Sequence, residues 1–138
     1  VKLDWWSSLD LLTPFFTIVA VAVPLSNHAS GQGYGTPSDL PWALDLWGAA
    51  RHPSQVYEAL AAVIILGLLW WKRADWLAER GRLFLTFLAL SAGTKLFLEA
   101  FRADSVLLAG LRRKQLLAWL VLAAVLWLLQ SRKTQNSS

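Results

Sequence analysis

Cysteine is absent from the 138 residues, which removes disulfides, thiolate metal ligands and a cysteine nucleophile in one step. Any thiol chemistry must therefore use a thiol brought by a partner. Also missing is a basic stretch followed by a short apolar run and a small-residue cleavage site, so no signal peptide is expected in these residues. It opens on Val1 rather than methionine, and it is read as an N-terminally truncated piece of a longer protein. No repeat and no low-complexity tract stands out beyond a polar tail over 131–138. His28 and His52 lack a carboxylate or cysteine at metal-ligand spacing, so neither a metal site nor a cofactor is expected. No serine-histidine-acid arrangement can be assembled.

What is present is apolar. Hydrophobic residues make up 56% of the chain and nine are tryptophan, more than a soluble domain of this size needs. Crossing the hydrocarbon core of a bilayer takes roughly 20 apolar helical residues, and the apolar residues here are contiguous enough to do so. Four helices are expected, over about 9–25, 53–71, 83–101 and 115–130, with Pro14 and Pro24 interrupting the first. The fold class is all-α: a polytopic membrane bundle forming a single membrane domain over 1–138, with a long structured polar loop over 26–52. That loop is rich in Gly, Pro, Ser and Asp, and its run Tyr34-Gly35-Thr36-Pro37-Ser38-Asp39 carries turn signals rather than helix signals.

Crossing parity places the N-terminus, the second connection and the tail on one side, and the long loop and the third connection on the other. The first side carries Lys2, Lys72, Arg73, Arg80, Arg82, Arg132 and Lys133, the second Arg51, Arg102, Arg112, Arg113 and Lys114. This charge bias favours a cytoplasmic C-terminus, and Trp70, Trp71 and Trp76 around Lys72 and Arg73 have the pattern of interfacial anchors. The net charge of +4 is thus explained by membrane topology, and no nucleic-acid partner is expected. In either orientation, the glycine-bearing loop and Arg102 meet at the same membrane face.

Ionisable residues at membrane depth cost roughly 2.5–3.5 kcal/mol at the centre on insertion scales, so they usually face a bundle interior or a wet cavity. Lys95, Glu99 and Arg102 follow one another at spacings of four and three, which shares a helix face. Either the triplet neutralises itself while Lys95 snorkels to the interface, or it walls a polar cavity in which Arg102 holds an anionic headgroup and Glu99 orients it. The second helix opens on Arg51-His52-Pro53-Ser54-Gln55-Val56-Tyr57-Glu58, with Pro53 suited to a first turn and Glu58 about a turn further in. The run Gly31-Gln32-Gly33-Tyr34-Gly35 could wrap backbone N–H groups around a phosphate. It does not sit between a strand and a helix, so the dinucleotide and phosphate-loop readings fail.

The ten residues Arg51-His52-Pro53-Ser54-Gln55-Val56-Tyr57-Glu58-Ala59-Leu60 closely resemble a signature of the prolipoprotein diacylglyceryl transferase family. Further resemblances follow in the same order. Asp10 and Pro14 resemble the start of the preceding family helix, and Tyr34 to Trp42 the loop before the signature. Glu99-Ala100-Phe101-Arg102-Ala103-Asp104-Ser105 is similar to a Glu-x-x-Arg-x-Asp-Ser element, with Lys95 where a basic residue is usual. Leu111 to Leu116 resembles the start of the last helix. The chain departs from the family where an arginine is expected and Pro24 stands, and where a glutamate often stands and Gln32 is found. The family helix bearing a His-Gly-Gly element falls before Val1.

The resemblance implies a multi-pass enzyme of the bacterial inner membrane. Such an enzyme moves the diacylglyceryl group of phosphatidylglycerol to the lipobox cysteine thiol of a preprolipoprotein, without a cofactor and among membrane lipids. It implies catalytic roles for Arg102 and Asn27, and substrate contacts from Tyr34, Gly35, Arg51, His52, Gln55, Tyr57, Glu58, Lys95 and Glu99. Two alternatives remain: an inactive relative that keeps the fold and binds anionic lipid, and a small transporter using Glu58 or Glu99 as a proton-coupled carboxylate.

Overall fold

The computed structural model describes residues 4–102, 107–108 and 111–136. Four long helices dominate: α1 (Trp5–Ser30), α2 (Ser54–Leu77), α3 (Arg82–Leu98) and α4 (Arg113–Asn136). Each is long and apolar enough to cross a membrane, α3 together with the turn that follows it to Phe101. Pro14 and Pro24 lie inside α1 without ending it. A proline removes one backbone donor, but lipid offers no water to compete for the remaining groups, and helices tolerate such gaps at membrane depth. The hydroxyls of Thr13 and Thr17 add bonds back to the carbonyls of Leu9 and Thr13, at 2.9 and 2.8 Å. α1 therefore runs past the expected 9–25 at both ends and stops at Gly31, whose φ of 69° caps it. At the other terminus α4 continues to Asn136, so much of the expected polar tail is helical. Its apolar segment nucleates the helix, and extending a formed helix costs little per residue.

α1 packs on α2, α2 on α3, and α3 on α4. Ile65 and Leu69 of α2 meet Leu83 and Phe87 of α3 in the buried core, with Phe16 and Ala20 of α1 against them. Leu11, Phe15, Ile18, Ile64, Trp119 and Leu120 point outward. An apolar surface of this extent suits lipid rather than water.

Side chains tie the two ends of the bundle. At one end Asp10 is buried inside α1 and accepts the backbone N–H groups of Gly81, at 2.5 Å, and Phe84, at 2.9 Å. It thereby caps α3 with a negative charge at the positive end of the helix dipole. The Arg132 guanidinium of α4 lies 4.1 Å from the Trp6 ring and donates to the Arg80 carbonyl. The start of α1, the α2–α3 connection and the end of α4 thus share one face. At this end Arg73 lies over Trp70 and Lys72 over Trp71.

The opposite face carries the polar loop. Strands β1 (Leu44–Leu46) and β2 (Ala49–Arg51) pair antiparallel, Leu46 opposite Ala49. Trp47 and Gly48 form the two-residue turn, with φ of 56° and 75°. Positive φ at both positions is the pattern of a type I′ turn, which favours Asn-Gly or Gly-Gly; for a bulky residue it costs roughly 1–2 kcal/mol. The turn signals in the sequence fall earlier, between Tyr34 and Asp39, so nothing in the residue pattern marked this hairpin. A second short pair, β3 (Leu107–Leu108) with β4 (Leu111–Arg112), precedes α4.

Candidate functional site

The site is assembled where α2 begins and α3 ends. α3 gives way to a 3-10 turn over Glu99–Phe101, and Arg102 then adopts an extended backbone with φ of −89° and ψ of 138°. Helical spacing therefore carries Lys95 and Glu99, whereas Arg102 is aimed by strand-like pairing. Arg102 forms an isolated bridge with Gly35, and Pro37 forms one with Arg51. The Thr36 N–H donates to the Phe101 carbonyl at 2.9 Å, and the His52 N–H donates to the Thr36 carbonyl at 3.0 Å. The loop is thereby laced between the start of α2 and the end of α3.

Glu58 is the hub. Its side chain is 5% exposed; one carboxylate oxygen accepts from Arg102 Nη1 at 2.8 Å, and the other from Lys95 Nζ. Glu99, also buried, places Oε2 3.8 Å from Arg102 Nε. Two cations and two carboxylates thus form one network drawn from α2, α3 and the turn that follows α3. Burying charges is tolerable when they are paired in this way. Lys95 keeps 53% of its side chain exposed, so one cation of the network reaches open space.

That space is a cavity of about 500 Å³. Asn27, Glu58, Lys95, Glu99, Arg102 and Lys114 form its polar wall, and Val23, Leu88, Leu117 and Val121 its apolar wall. A second cavity of about 460 Å³ between α1 and α3 shares Val23, Leu88 and Lys95 with it and is otherwise apolar. A cationic pocket opening onto an apolar groove has the chemistry to receive an amphiphile with an anionic head.

The structure divides the residues expected from the sequence. Asn27, Glu58, Lys95, Glu99 and Arg102 line one cavity. Gln55 and Ser54 instead fasten the loop: Gln55 Nε2 donates to the Gln32 carbonyl at 2.8 Å, and the Ser54 hydroxyl to the Gly33 carbonyl at 2.7 Å. Arg51 donates to the carbonyls of Leu46 and Gly35, and its guanidinium carbon lies 5.0 Å from the centre of the Tyr34 ring. His52 and Tyr57 form an aromatic cluster with Phe101, and Tyr57 accepts from the Trp42 indole. In the glycine run, the N–H groups of Gly31 and Gln32 donate to the carbonyls of His28 and Asn27 at the end of α1. The carbonyls of Gly31, Gln32, Gly33 and Gly35 all accept from protein groups.

Glycine is needed in this run for close approach. A β-carbon on Gly33 would lie 3.0 Å from Arg102 Nη2, and one on Gly35 would lie 2.3 Å from the His52 carbonyl oxygen. Lys114 also lines the cavity, although the sequence marks it only as a basic residue where the last helix begins. The signal that could have found it is parity, which puts the start of the fourth helix beside Arg102. Of the Glu-x-x-Arg-x-Asp-Ser element, Ala103, Asp104 and Ser105 lie outside the described residues.

A family model described as prolipoprotein diacylglyceryl transferase matches residues 1–131. A protein of Finegoldia magna named phosphatidylglycerol--prolipoprotein diacylglyceryl transferase is 28% identical over 123 residues, covering 89% of this chain and 50% of its own length. One of the same name from Methylobacillus flagellatus is 33% identical over 136 residues, covering 92% of this chain and 51% of its own. A third, from Methylococcus capsulatus, is 42% identical over 66 residues, with 45% and 25% covered. The chain spans about half the length of the first two.

Proposed function

The chain belongs to the prolipoprotein diacylglyceryl transferase family, and from that premise we propose that its cavity binds the headgroup of phosphatidylglycerol and serves diacylglyceryl transfer to a lipobox cysteine. The observation that carries this reading is the joining of a wall bearing Lys95, Arg102 and Lys114 to an apolar groove. Arg102 and Lys95 attract the lipid phosphate, and the Asn27 amide hydrogen-bonds it. Gly35, Tyr34, Arg51, His52, Gln55 and Tyr57 hold the loop that packs behind Arg102, while Glu58 and Glu99 orient the cations.

In the transfer, a carbon–oxygen bond of the lipid glycerol breaks as the carbon–sulfur bond of a thioether forms. Glycerol phosphate leaves with the bonding pair, and the thiol proton is released with it. Cations fixed at the departing phosphate stabilise the charge that develops there. The thiol must come from the partner, because this chain has none. The site then faces the non-cytoplasmic leaflet of the bacterial inner membrane, with the α4 end in the cytoplasm, as the charge distribution favours.

Membranes containing the protein, given labelled phosphatidylglycerol and a lipobox peptide, test the reading. Thioether-linked lipid above background is expected; none would remove the catalytic claim. A specific observation favours a second reading, a relative that binds anionic lipid without turning it over. Pro24, where the family resemblance calls for an arginine, is buried in α1 and lines the groove beside Lys95 without charge. Lipid retained without turnover in the same assay is its expected result.

A further inference from the structure

Trp47 combines three properties that packing within the chain does not reconcile. Its backbone is in the left-handed region, its side chain is bulky, and it is 71% exposed. A residue held in a disfavoured conformation is usually kept there by something it contacts. Within the chain the contact is slight: Nε1 donates to the Gly31 carbonyl at 3.0 Å, and the ring lies across Gly31, 3.4 Å from where a β-carbon would be. Gly31 is the residue that ends α1.

Trp42 shares the exposure and the tethered indole, though not the left-handed backbone. It is 57% exposed and its Nε1 donates to the Tyr57 hydroxyl at 2.9 Å, one turn into α2. Both indoles have their polar atom tied to the end of a membrane-crossing helix and their apolar ring surface turned outward. Phe97, near the end of α3, is 69% exposed at the same end of the bundle. Trp5, Trp70 and Trp71 are exposed toward the other end. α1 rises about 39 Å between Trp5 and Gly31, and α2 about 20 Å between Tyr57 and Trp70. These lengths bracket the hydrocarbon thickness of about 30 Å.

We propose that the β1–β2 hairpin, with Trp42 just before it, is an interfacial membrane anchor. The indoles of Trp47 and Trp42 sit in the headgroup layer of the leaflet onto which the cation-lined cavity opens, and they hold the polar loop down on the bundle. Amphipathic rings gain most at that depth, where one edge is wet and the face is not. The occupant is the lipid surface itself, zwitterionic or anionic. This inference holds whether or not the cavity selects phosphatidylglycerol.

The full chain is reconstituted in phosphatidylcholine vesicles whose acyl chains carry bromine at a shallow or a deep position. The emission of Trp47 is taken as the difference between the parent and Trp47→Phe. Shallow bromine should quench it about twofold more than deep bromine, with little effect of aqueous iodide, as for an interfacial ring. Trp47→Gly provides a variant whose folding is secure, because glycine suits the turn. It should keep or raise the thermal midpoint in detergent, yet in vesicles speed amide exchange across 44–51 by about tenfold. Quenching by iodide but not by brominated lipid would overturn the proposal, as would shielding from both quenchers, which would mean a protein partner. Unchanged exchange in Trp47→Gly vesicles would overturn it equally.

Discussion

Glu58 draws its partners from two places, Lys95 on α3 and Arg102 just past it. Removing the carboxylate would leave a buried guanidinium with less compensation, so Glu58→Gln should lower stability by about 3 kcal/mol. Combining it with Arg102→Gln should cost clearly less than the two single changes added together, because the pair is coupled. Thermal unfolding in detergent reads both, and simple additivity would mean that the pair contributes nothing as a pair. Gly33→Ala sets a β-carbon 3.0 Å from the same guanidinium at a φ of +68°, and an expected loss of about 1–3 kcal/mol is checked in the same way. Part of this site was legible in the sequence. Helical spacing placed Lys95 and Glu99 on one face, but a bond between Glu58 and residues about 40 positions away depends on how α2 meets α3. No local pattern encodes that contact. Arg102 was expected on the helix, yet its direction comes from the bridge to Gly35.

Among the elements, the helices were readable because hydrocarbon demands long apolar runs with every backbone bond made internally. Their ends were less so, since α1 passes two prolines and α4 continues into a polar stretch. The loop was read as folded, but its hairpin was not, because Trp-Gly is a poor turn sequence. Asp10 shows what a single buried acid can do between elements. Asp10→Ala leaves the N–H groups of Gly81 and Phe84 without their acceptor, at an expected cost of about 1–2 kcal/mol. Hydrogen exchange should report faster opening of the first turn of α3. The loop is fastened in a similar way, so Ser54→Ala, which strips the buried Gly33 carbonyl of its donor, should loosen the segment 31–35. Limited proteolysis of that segment checks it, and protection equal to the parent would mean the bond is dispensable.

For the molecule as a whole, the distribution of polar groups makes two unlike ends. Asp10, Trp6 and Arg132 clamp one; the loop, Arg102 and Lys114 form the other. Because the sequence has no cysteine, single cysteines can report sidedness without background. Ser30→Cys and Ser131→Cys should be labelled by a membrane-impermeant maleimide from opposite sides, and labelling from one side would break the crossing pattern. What ties topology to function is a set of cations gathered at one membrane face beside an apolar groove. Its most direct test is the equilibrium affinity of the purified protein for phosphatidylglycerol and phosphatidylcholine, compared between the parent and Arg102→Gln. Binding of phosphatidylglycerol should weaken about tenfold or more, equivalent to about 1.4 kcal/mol, with phosphatidylcholine unaffected; equal phosphatidylglycerol affinity in a folded variant would contradict the account.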